Sequence, residues 1–193
     1  MDGNRLDLHV CTLDYVLDHL EIYQILVDKD HRLPKPYLSA SIYNVKKPTE
    51  KQFECTCMEF WWCLNNATKG LWRDEIPYVM DAVDDTLRPE LRKLLEWKIG
   101  IEHDFQISVG KSGKYMKKYL TDQEYQQYLS TYTVAQKDSV IYSILTMCDL
   151  FNTTAKFLSQ QLHYAYDNKQ AQNSLYFFKH VMLLDKDAKA LDQ

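Results

Sequence analysis

The chain has 193 residues and a net charge of −4, with 46% hydrophobic and 26% charged residues. This balance is typical of a globular protein large enough to bury a core without staples, and the acidic charge disfavours a nucleic-acid-binding surface. The sequence shows no run of about 18 apolar residues and no basic segment followed by an apolar one. We therefore expect no membrane span, no signal peptide and a cytoplasmic location.

The first predicted elements form a small α/β region. Leu6, Leu8 and Val10 alternate with polar residues, which predicts a strand over residues 5–12. Residues 13–20 allow one or two helical turns, and the apolar run over residues 22–27 predicts a second strand. Two prolines make residues 28–36 turn-rich. The boundary falls within residues 36–48, so we predict domains at 1–45 and 46–193.

Helical periodicity dominates the rest of the chain. Thr49 is a plausible N-cap, and the following segment repeats apolar residues every three or four positions. A second helix is predicted over residues 73–87, and a third begins near Pro89 and ends near Gly100. The apolar residues on these three helices are Phe53, Cys57, Phe60, Trp61, Leu64, Ile76, Val79, Met80, Val83, Leu91, Leu94, Leu95 and Ile99.

Three further helices complete the predicted bundle. Residues 107–115 indicate a loop, and Thr121 with Glu124 forms a capping-box pattern before a short helix over residues 121–129. The longest helix is predicted over residues 139–165 and the last over residues 174–184. The fold class is therefore mostly α: a C-terminal helical bundle preceded by a small α/β remnant.

Familiar motifs fail on spacing. Gly110-Lys111-Ser112 has no glycine at the position that a phosphate loop requires, so residues 107–115 are either a solvated basic loop or a loop that faces a ligand. The Asp-x-Asp pairs at residues 28–30 and 185–187 sit at predicted turns, which favours surface roles over metal binding. The five cysteines lack zinc-site spacing and are an odd number, which predicts free thiols in a reducing compartment.

A few charged residues remain as candidates. Lys69 and Arg73 flank an aromatic residue at a helix junction, where they either reach a triphosphate or are simply surface charges. Trp97 lies among Glu96, Glu102 and Asp104, which suits a polycationic ligand or, equally, a core tryptophan with a solvated acidic rim. By residue chemistry alone the chain is a mostly helical domain.

Several connected strings resemble the aminoglycoside 6-adenylyltransferase family of the polymerase-β-like nucleotidyltransferases. The resemblance covers nearly the whole chain, and its most specific part runs from residue 69 to residue 132. The strings are RLDLHV, ILVDKDHR, EFWW and KGLWRDEI within residues 59–76, LRKLLEWKIGIEHDF and SVGKSGKYMKKYL within residues 91–120, LSTY at 129–132, MCDLFNTTA at 147–155, and KHVMLLDKDAKAL near the end.

The resemblance implies an activity and a catalytic set. Such enzymes transfer AMP from ATP to a hydroxyl of streptomycin-like aminoglycosides, as an antibiotic-resistance activity. Their Gly-Ser motif, Asp-x-Asp pair and later third aspartate serve the triphosphate and Mg²⁺. Only the third aspartate has a match here, Asp7, as a catalytic metal ligand. The other motifs would lie before Met1, so we expect a truncated form with little or no activity alone.

The resemblance also implies which ligand each of the other candidate residues binds. Lys69 and Arg73 are then expected to bind nucleotide, and Glu96, Trp97, Glu102 and Asp104 are expected to bind the aminoglycoside within a helical substrate-binding domain. An incomplete sheet exposes strand edges, which predicts a possible homodimer. The alternative is a non-catalytic aminoglycoside-binding or helical interaction module. A helical nuclease is disfavoured because the spacing from Arg5 to His9 is too short.

Overall fold

The structure is a computed structural model that describes residues 3, 6–20, 22–36, 40–185 and 187–188. The chain divides into two compact units, Met1–Tyr43 and Asn44–Gln193. The first unit contains one short α-helix and a turn of 3₁₀-helix, and the second contains six α-helices among its described residues.

The described residues of the first unit form no β-strand. Residues 6–12 are irregular, and Leu6, Leu8 and Val10 are 91%, 85% and 94% exposed. Residues 22–27 form a bend and irregular backbone instead of a second strand. The predicted strands and sheet remnant are therefore wrong for this part of the chain. Alternation gives a strand two faces, but only a neighbouring strand supplies the hydrogen bonds that make a sheet.

Local capping explains the helix that does form in this unit. Helix α1 spans Leu13–Asp18, and the Thr12 side chain accepts a hydrogen bond from the Tyr15 N–H at 3.3 Å. Helix α1 has no buried residue. The first Asp-x-Asp pair makes a turn, as its sequence context predicts, because the Asp28 carboxylate accepts hydrogen bonds from the N–H groups of Arg32 and Leu33.

Helix α2 spans Glu50–Trp72 and begins as the sequence predicts. Thr49 and Gln52 form a reciprocal capping box, which satisfies backbone donors that the first turn of a helix leaves free. All five residues of the predicted apolar face are buried, and Phe53, Phe60 and Trp61 have no exposed surface. The periodicity of this segment therefore identified both the helix and its buried side.

The next two predicted helices form one continuous helical stretch. Helix α3 spans Ile76–Ala82, a π-helical turn follows at Val83–Leu87, and helix α4 spans Arg88–Glu102. The predicted break near Pro89 is wrong because the wide turn continues the helix, with the Arg88 N–H bonding to the Val83 carbonyl. A π-turn of this kind inserts an extra residue into a helix without ending it.

Gly100 does not end α4, contrary to the prediction. It is buried inside the last turn, and a Cβ atom there would lie 2.6 Å from the Phe105 ring. The chain instead reverses after Glu102, where the Phe105 N–H donates to the Gly100 carbonyl at 2.7 Å. The glycine is therefore needed for close approach of the Phe105 ring, which periodicity alone does not distinguish from a helix stop.

The last three helices close the bundle. Helix α5 spans Asp122–Leu129 with the predicted Thr121–Glu124 capping box, and helix α6 spans Lys137–Leu162. Helix α7 spans Asn168–Met182 and begins six residues earlier than predicted, because the Asp167 carboxylate caps the N–H groups of Lys169 and Gln170. Helix α2 packs on α7, and α4 packs on α6.

Aromatic rings fill the centre of the second unit. Phe60 stacks on Phe151 with ring centroids 3.8 Å apart, and Trp61 meets Phe151 edge-on at 5.6 Å. The Trp61 indole N–H donates to the Tyr166 hydroxyl at 3.2 Å, which in turn donates to the Asn152 side chain at 3.0 Å. Rings from α2 and α6 thus pack directly while their polar atoms remain hydrogen-bonded.

A buried arginine ties the start of α4 to the connection between α5 and α6. The Arg88 guanidinium donates to the Thr131 carbonyl at 2.7 Å and to its hydroxyl at 3.2 Å, and it pairs with Asp84. Its Cζ lies 4.1 Å from the centroid of the Tyr132 ring. The Ser143 hydroxyl also donates to the Thr131 carbonyl, at 2.6 Å. This node fixes α5 relative to α4 and α6.

Across the described ranges, no helix combines the length and the apolar character needed to cross a bilayer.

Candidate functional site

A groove runs between α5 and α6. It consists of two adjoining cavities of about 510 and 440 Å³ that share Gln123, Gln127 and Asp149. We call it the α5–α6 groove. The first cavity is further lined by Gln126, Ser130, Tyr142, Leu145 and Thr146, and the second by Lys98, Thr121, Glu124, Leu150, Thr153, Thr154 and Phe157. Cavities of this size are typical of small-molecule sites.

The lining of the groove is rich in amides. Helix α5 contributes Gln123, Gln126 and Gln127, and helix α6 contributes the exposed carboxylate of Asp149. An amide both donates and accepts hydrogen bonds, and a carboxylate accepts them. The ring of Tyr142 lines the first cavity and the ring of Phe157 lines the second. The groove therefore offers polar atoms for hydroxyl and amino groups and ring faces for apolar surface.

Lys98 from α4 closes one end of the groove within an ion cluster. Its ammonium lies 2.5 Å from Glu102 Oε1, 3.1 Å from Glu124 Oε1 and 5.5 Å from the centroid of the Phe157 ring. Burial lowers the pKa of Lys98, but its hydrogen bonds to the two glutamates outweigh this and leave the pKa raised. Lys98 is therefore a cation at neutral pH, and its charge is matched by both carboxylates.

Glu124 is held in place from two sides. Burial raises its pKa, but hydrogen bonds from the Thr121 hydroxyl and backbone N–H and from Lys98 outweigh this, so the pKa is lowered. The Thr121 hydroxyl donates to Glu124 Oε2 at 2.8 Å. Glu124 is therefore ionised at neutral pH. With Glu102, Glu124 and Asp149 against Lys98, the charges around this end of the groove are acidic on balance, which favours a cationic ligand.

The four residues predicted to bind an aminoglycoside are divided around α4. Glu102 is connected to the groove by its ion pair with Lys98, which lines the groove, whereas Glu96 pairs with Arg92 at 3.6 Å. Six residues at 3.6 per turn place Glu96 and Glu102 about 120° apart around the helix. Burial raises the pKa of Glu96, and the charges of Arg92 and Lys93 oppose the rise.

The other two members of that set have different environments. Trp97 is half-buried and packs against the core. Asp104 follows the helix end, is exposed, and has a positive φ of 51°. Their roles toward a ligand stay predictions, and so do those of Glu96 and Glu102.

The two residues predicted to bind nucleotide lie at the end of α2. Lys69 and Arg73 are exposed and four positions apart, so their side chains share one face. The Arg73 N–H donates to the Lys69 carbonyl at 3.1 Å and closes the helix. The pair forms a small cationic surface, and its role toward a triphosphate stays a prediction.

The predicted metal ligand, Asp7, lies in the first unit. Asp7 is exposed within the irregular segment of the first unit, and the described ranges contain no group of three or more His, Cys, Asp and Glu side chains placed to hold a metal ion. Mg²⁺ requires near-octahedral oxygen ligation, usually through carboxylates and waters. The role of Asp7 as a catalytic metal ligand stays a prediction.

Asp149 and the three glutamines of α5 were not among the predicted site residues. The sequence did carry a signal for Asp149, because this residue interrupts the apolar run MCDLF and must therefore face away from the core. The glutamines carried no comparable signal, since exposed glutamine is common on any helix surface. Only the packing of α5 beside α6 shows that these side chains line one groove.

Comparisons with known proteins give a consistent result. The family model described as streptomycin adenylyltransferase matches residues 1–181. An aminoglycoside 6-adenylyltransferase of Bacillus subtilis is 33% identical over 170 residues, covering 86% of this chain and 60% of that protein. Its Staphylococcus aureus counterpart is 34% identical over 172 residues, covering 86% and 61%. The chain thus spans about three fifths of the length of these relatives.

A solved structure shows the same likeness. The crystal structure of an aminoglycoside 6-adenyltransferase from Bacillus subtilis matches with a TM-score of 0.67 and 29% identity. The match covers 81% of this chain and 59% of that one.

Proposed function

Because the chain belongs to the streptomycin adenylyltransferase family, we propose that it is the helical part of an aminoglycoside nucleotidyltransferase. In the proposed reaction, a hydroxyl oxygen of a streptomycin-like aminoglycoside attacks the α-phosphorus of ATP. A new P–O bond joins AMP to the drug, the bond to the β-phosphate breaks, the hydroxyl loses its proton, and pyrophosphate leaves. Such modification is an antibiotic-resistance activity.

The α5–α6 groove is the observation that carries this proposal. An aminoglycoside is a polycation that bears many hydroxyl groups on its rings. Asp149 and Glu124 complement its positive charges, and the amides of Gln123 and Gln127 complement its hydroxyls. The ring of Phe157 offers an apolar contact for a sugar face. Charge, hydrogen bonding and cavity size all fit the same ligand class.

The proposed role of this chain is recognition of the drug rather than transfer by itself. Phosphoryl-type transfer depends on charge neutralisation at the reacting phosphate, and of the predicted catalytic set only Asp7 has a match in this chain. We expect the isolated chain to bind streptomycin without modifying it. The five free cysteines agree with a reducing, cytoplasmic setting for this role.

Calorimetry with streptomycin tests the binding role. Asp149→Asn removes one groove carboxylate while preserving shape, so streptomycin affinity should fall about tenfold, the effect of one charge-assisted hydrogen bond. The matched control is Asp81→Asn, since Asp81 is an exposed acid on α3 and its loss changes net charge equally. Equal affinity losses in both variants, or no binding by the unaltered chain, would refute the proposed site.

Mass spectrometry tests the transfer step. The purified chain is incubated with ATP, Mg²⁺ and streptomycin, and the drug is examined for an added AMP. Unmodified drug together with calorimetric binding supports a recognition role. Adenylylated drug would show that Asp7 acts with metal ligands outside those described, and would overturn the assignment of recognition alone.

The first unit exposes an apolar surface. Leu6, Leu8 and Val10 are exposed in an irregular segment, and neighbouring exposed apolar side chains are typical of an interaction surface. We propose a homodimer formed through this segment. Light scattering should show a dimer that Leu8→Lys converts to monomer, and a monomer at all concentrations before substitution would exclude it.

A further inference from the structure

A lysine-rich loop lies between the α4 and α5 helices. Lys111, Lys114, Lys117 and Lys118 fall within eight residues, and all four are exposed. None of them forms an ion pair with any residue that the structure describes. Like charges so close together repel one another, and a chain with a net charge of −4 does not need such a cluster for solubility.

The loop is anchored at both ends rather than free. Val109 is 5% exposed and Met116 is fully buried. The Tyr115 N–H donates to the Val109 carbonyl at 2.9 Å, which closes the turn. Gly110 has a φ of 71°, and a Cβ there would lie 2.7 Å from the Tyr115 ring. The lysines therefore extend from a turn with a defined backbone.

Tyr115 gathers two of the charges. The ammonium groups of Lys114 and Lys118 lie 4.9 and 4.8 Å from the centroid of its ring. Cation–π attraction of this kind offsets part of the repulsion between the two lysines. The contact with the ring also restricts both lysine side chains. They therefore lose less conformational entropy when they bind an anion. Two cations are thus held near one another before any ligand arrives.

We propose that this loop, residues 110–118, binds a di- or triphosphate anion. Lysine is a point-charge ligand for phosphate, and several lysines match a chain of phosphates better than a single carboxylate or monophosphate. The spacing of a phosphate loop is absent, so the lysine side chains supply the attraction. The ligand is either the polyphosphate of a nucleotide or free pyrophosphate.

The inference deepens the proposed function and rests on it for its biological meaning. ATP and pyrophosphate are the anions of the proposed transfer, and the loop is separate from the residues that line the α5–α6 groove. Anion binding and streptomycin binding are therefore measurable independently on the same chain.

The test is calorimetry with pyrophosphate, tripolyphosphate, ATP and AMP at low ionic strength, without metal. The variant Lys114→Gln/Lys118→Gln should bind tripolyphosphate at least tenfold more weakly than the unaltered chain. The control Lys156→Gln/Lys179→Gln removes the same charge from exposed positions of α6 and α7 and should bind within twofold. AMP should bind weakest, and raised salt should weaken all binding.

The outcomes separate the possibilities. Tighter ATP than tripolyphosphate binding identifies a nucleotide as the ligand, and equal binding identifies the free anion; both support the proposal. Equal losses in the two double variants, or no binding by the unaltered chain, would overturn it. Streptomycin titrations of the same variants show whether the groove is intact. We expect Lys114→Gln/Lys118→Gln to lose anion binding and to keep drug binding. If the unaltered chain binds tripolyphosphate but not streptomycin, the proposed function is refuted while the anion site stands.

Discussion

The Arg88 node leads to a stability prediction. Arg88→Met keeps an apolar stem of similar length but removes both hydrogen bonds to Thr131. The Arg88 side chain is only 6% exposed, so water does not replace those bonds. Each bond to a charged donor is worth about 1.5–3 kcal/mol. The variant no longer buries a charge, and this offsets part of the loss.

The net destabilisation is therefore expected to be about 2–3 kcal/mol. The Asp84 side chain is 50% exposed, so its ion pair with Arg88 adds little to the free energy of unfolding. For a chain of this size, the change corresponds to a fall in Tm of roughly 4–12 °C. Urea unfolding and thermal melts followed by far-UV circular dichroism measure both quantities.

The control is Asp84→Asn, which leaves both bonds to Thr131 in place. It should change the free energy of unfolding by less than about 1 kcal/mol. If Asp84→Asn destabilises as much as Arg88→Met, the ion pair dominates and the reasoning from the buried hydrogen bonds is wrong. An Arg88→Met variant within about 0.5 kcal/mol of the unaltered chain would show that the two bonds from Arg88 to Thr131 contribute little to the free energy of unfolding.

Two further predictions concern α4. Gly100→Ala should lower the free energy of unfolding by about 1–3 kcal/mol, because a Cβ would lie 2.6 Å from the Phe105 ring. Thermal melts measure the change. A raised Tm would mean that the ring moves aside and that the higher helix propensity of alanine dominates. Burial raises the pKa of Glu96, so its ionised form costs stability as pH rises through and above the ordinary glutamate range. Urea unfolding at several pH values measures the free energy of unfolding of Glu96→Gln and of the unaltered chain. The value for the variant minus that for the unaltered chain should increase with pH. A constant or decreasing difference would contradict this.

Sequence patterns located most helices because their signals are local. The N-cap at Thr49, the capping box at Thr121 and the apolar faces of α2 and α4 depend on residues three or four positions apart. Such patterns determine where a helix starts and which side it buries. The resemblance to the adenylyltransferase family likewise came from connected strings, and the comparisons confirm it.

Errors arose where the outcome depends on residues far apart in sequence. In the part of the chain that the structure describes, residues 6–12 and 22–27 have no neighbouring strand, and a strand does not supply its own hydrogen-bonding partner. Gly100 was predicted to end the helix because its contact with Phe105 forms only after the chain turns back, which the local sequence does not show. The break near Pro89 was likewise misplaced, because the π-turn that continues the helix is not encoded by periodicity.

The candidate site shows the same division. The sequence by itself determined the helices, their buried faces, the family and the chemical types of residue available on each helix. Only the tertiary structure placed Lys98 between Glu102 and Glu124, and only it placed Asp149 across a groove from the glutamines of α5. The physical reason is that helix formation depends on neighbours within one or two turns, whereas a binding groove requires separate helices to pack side by side.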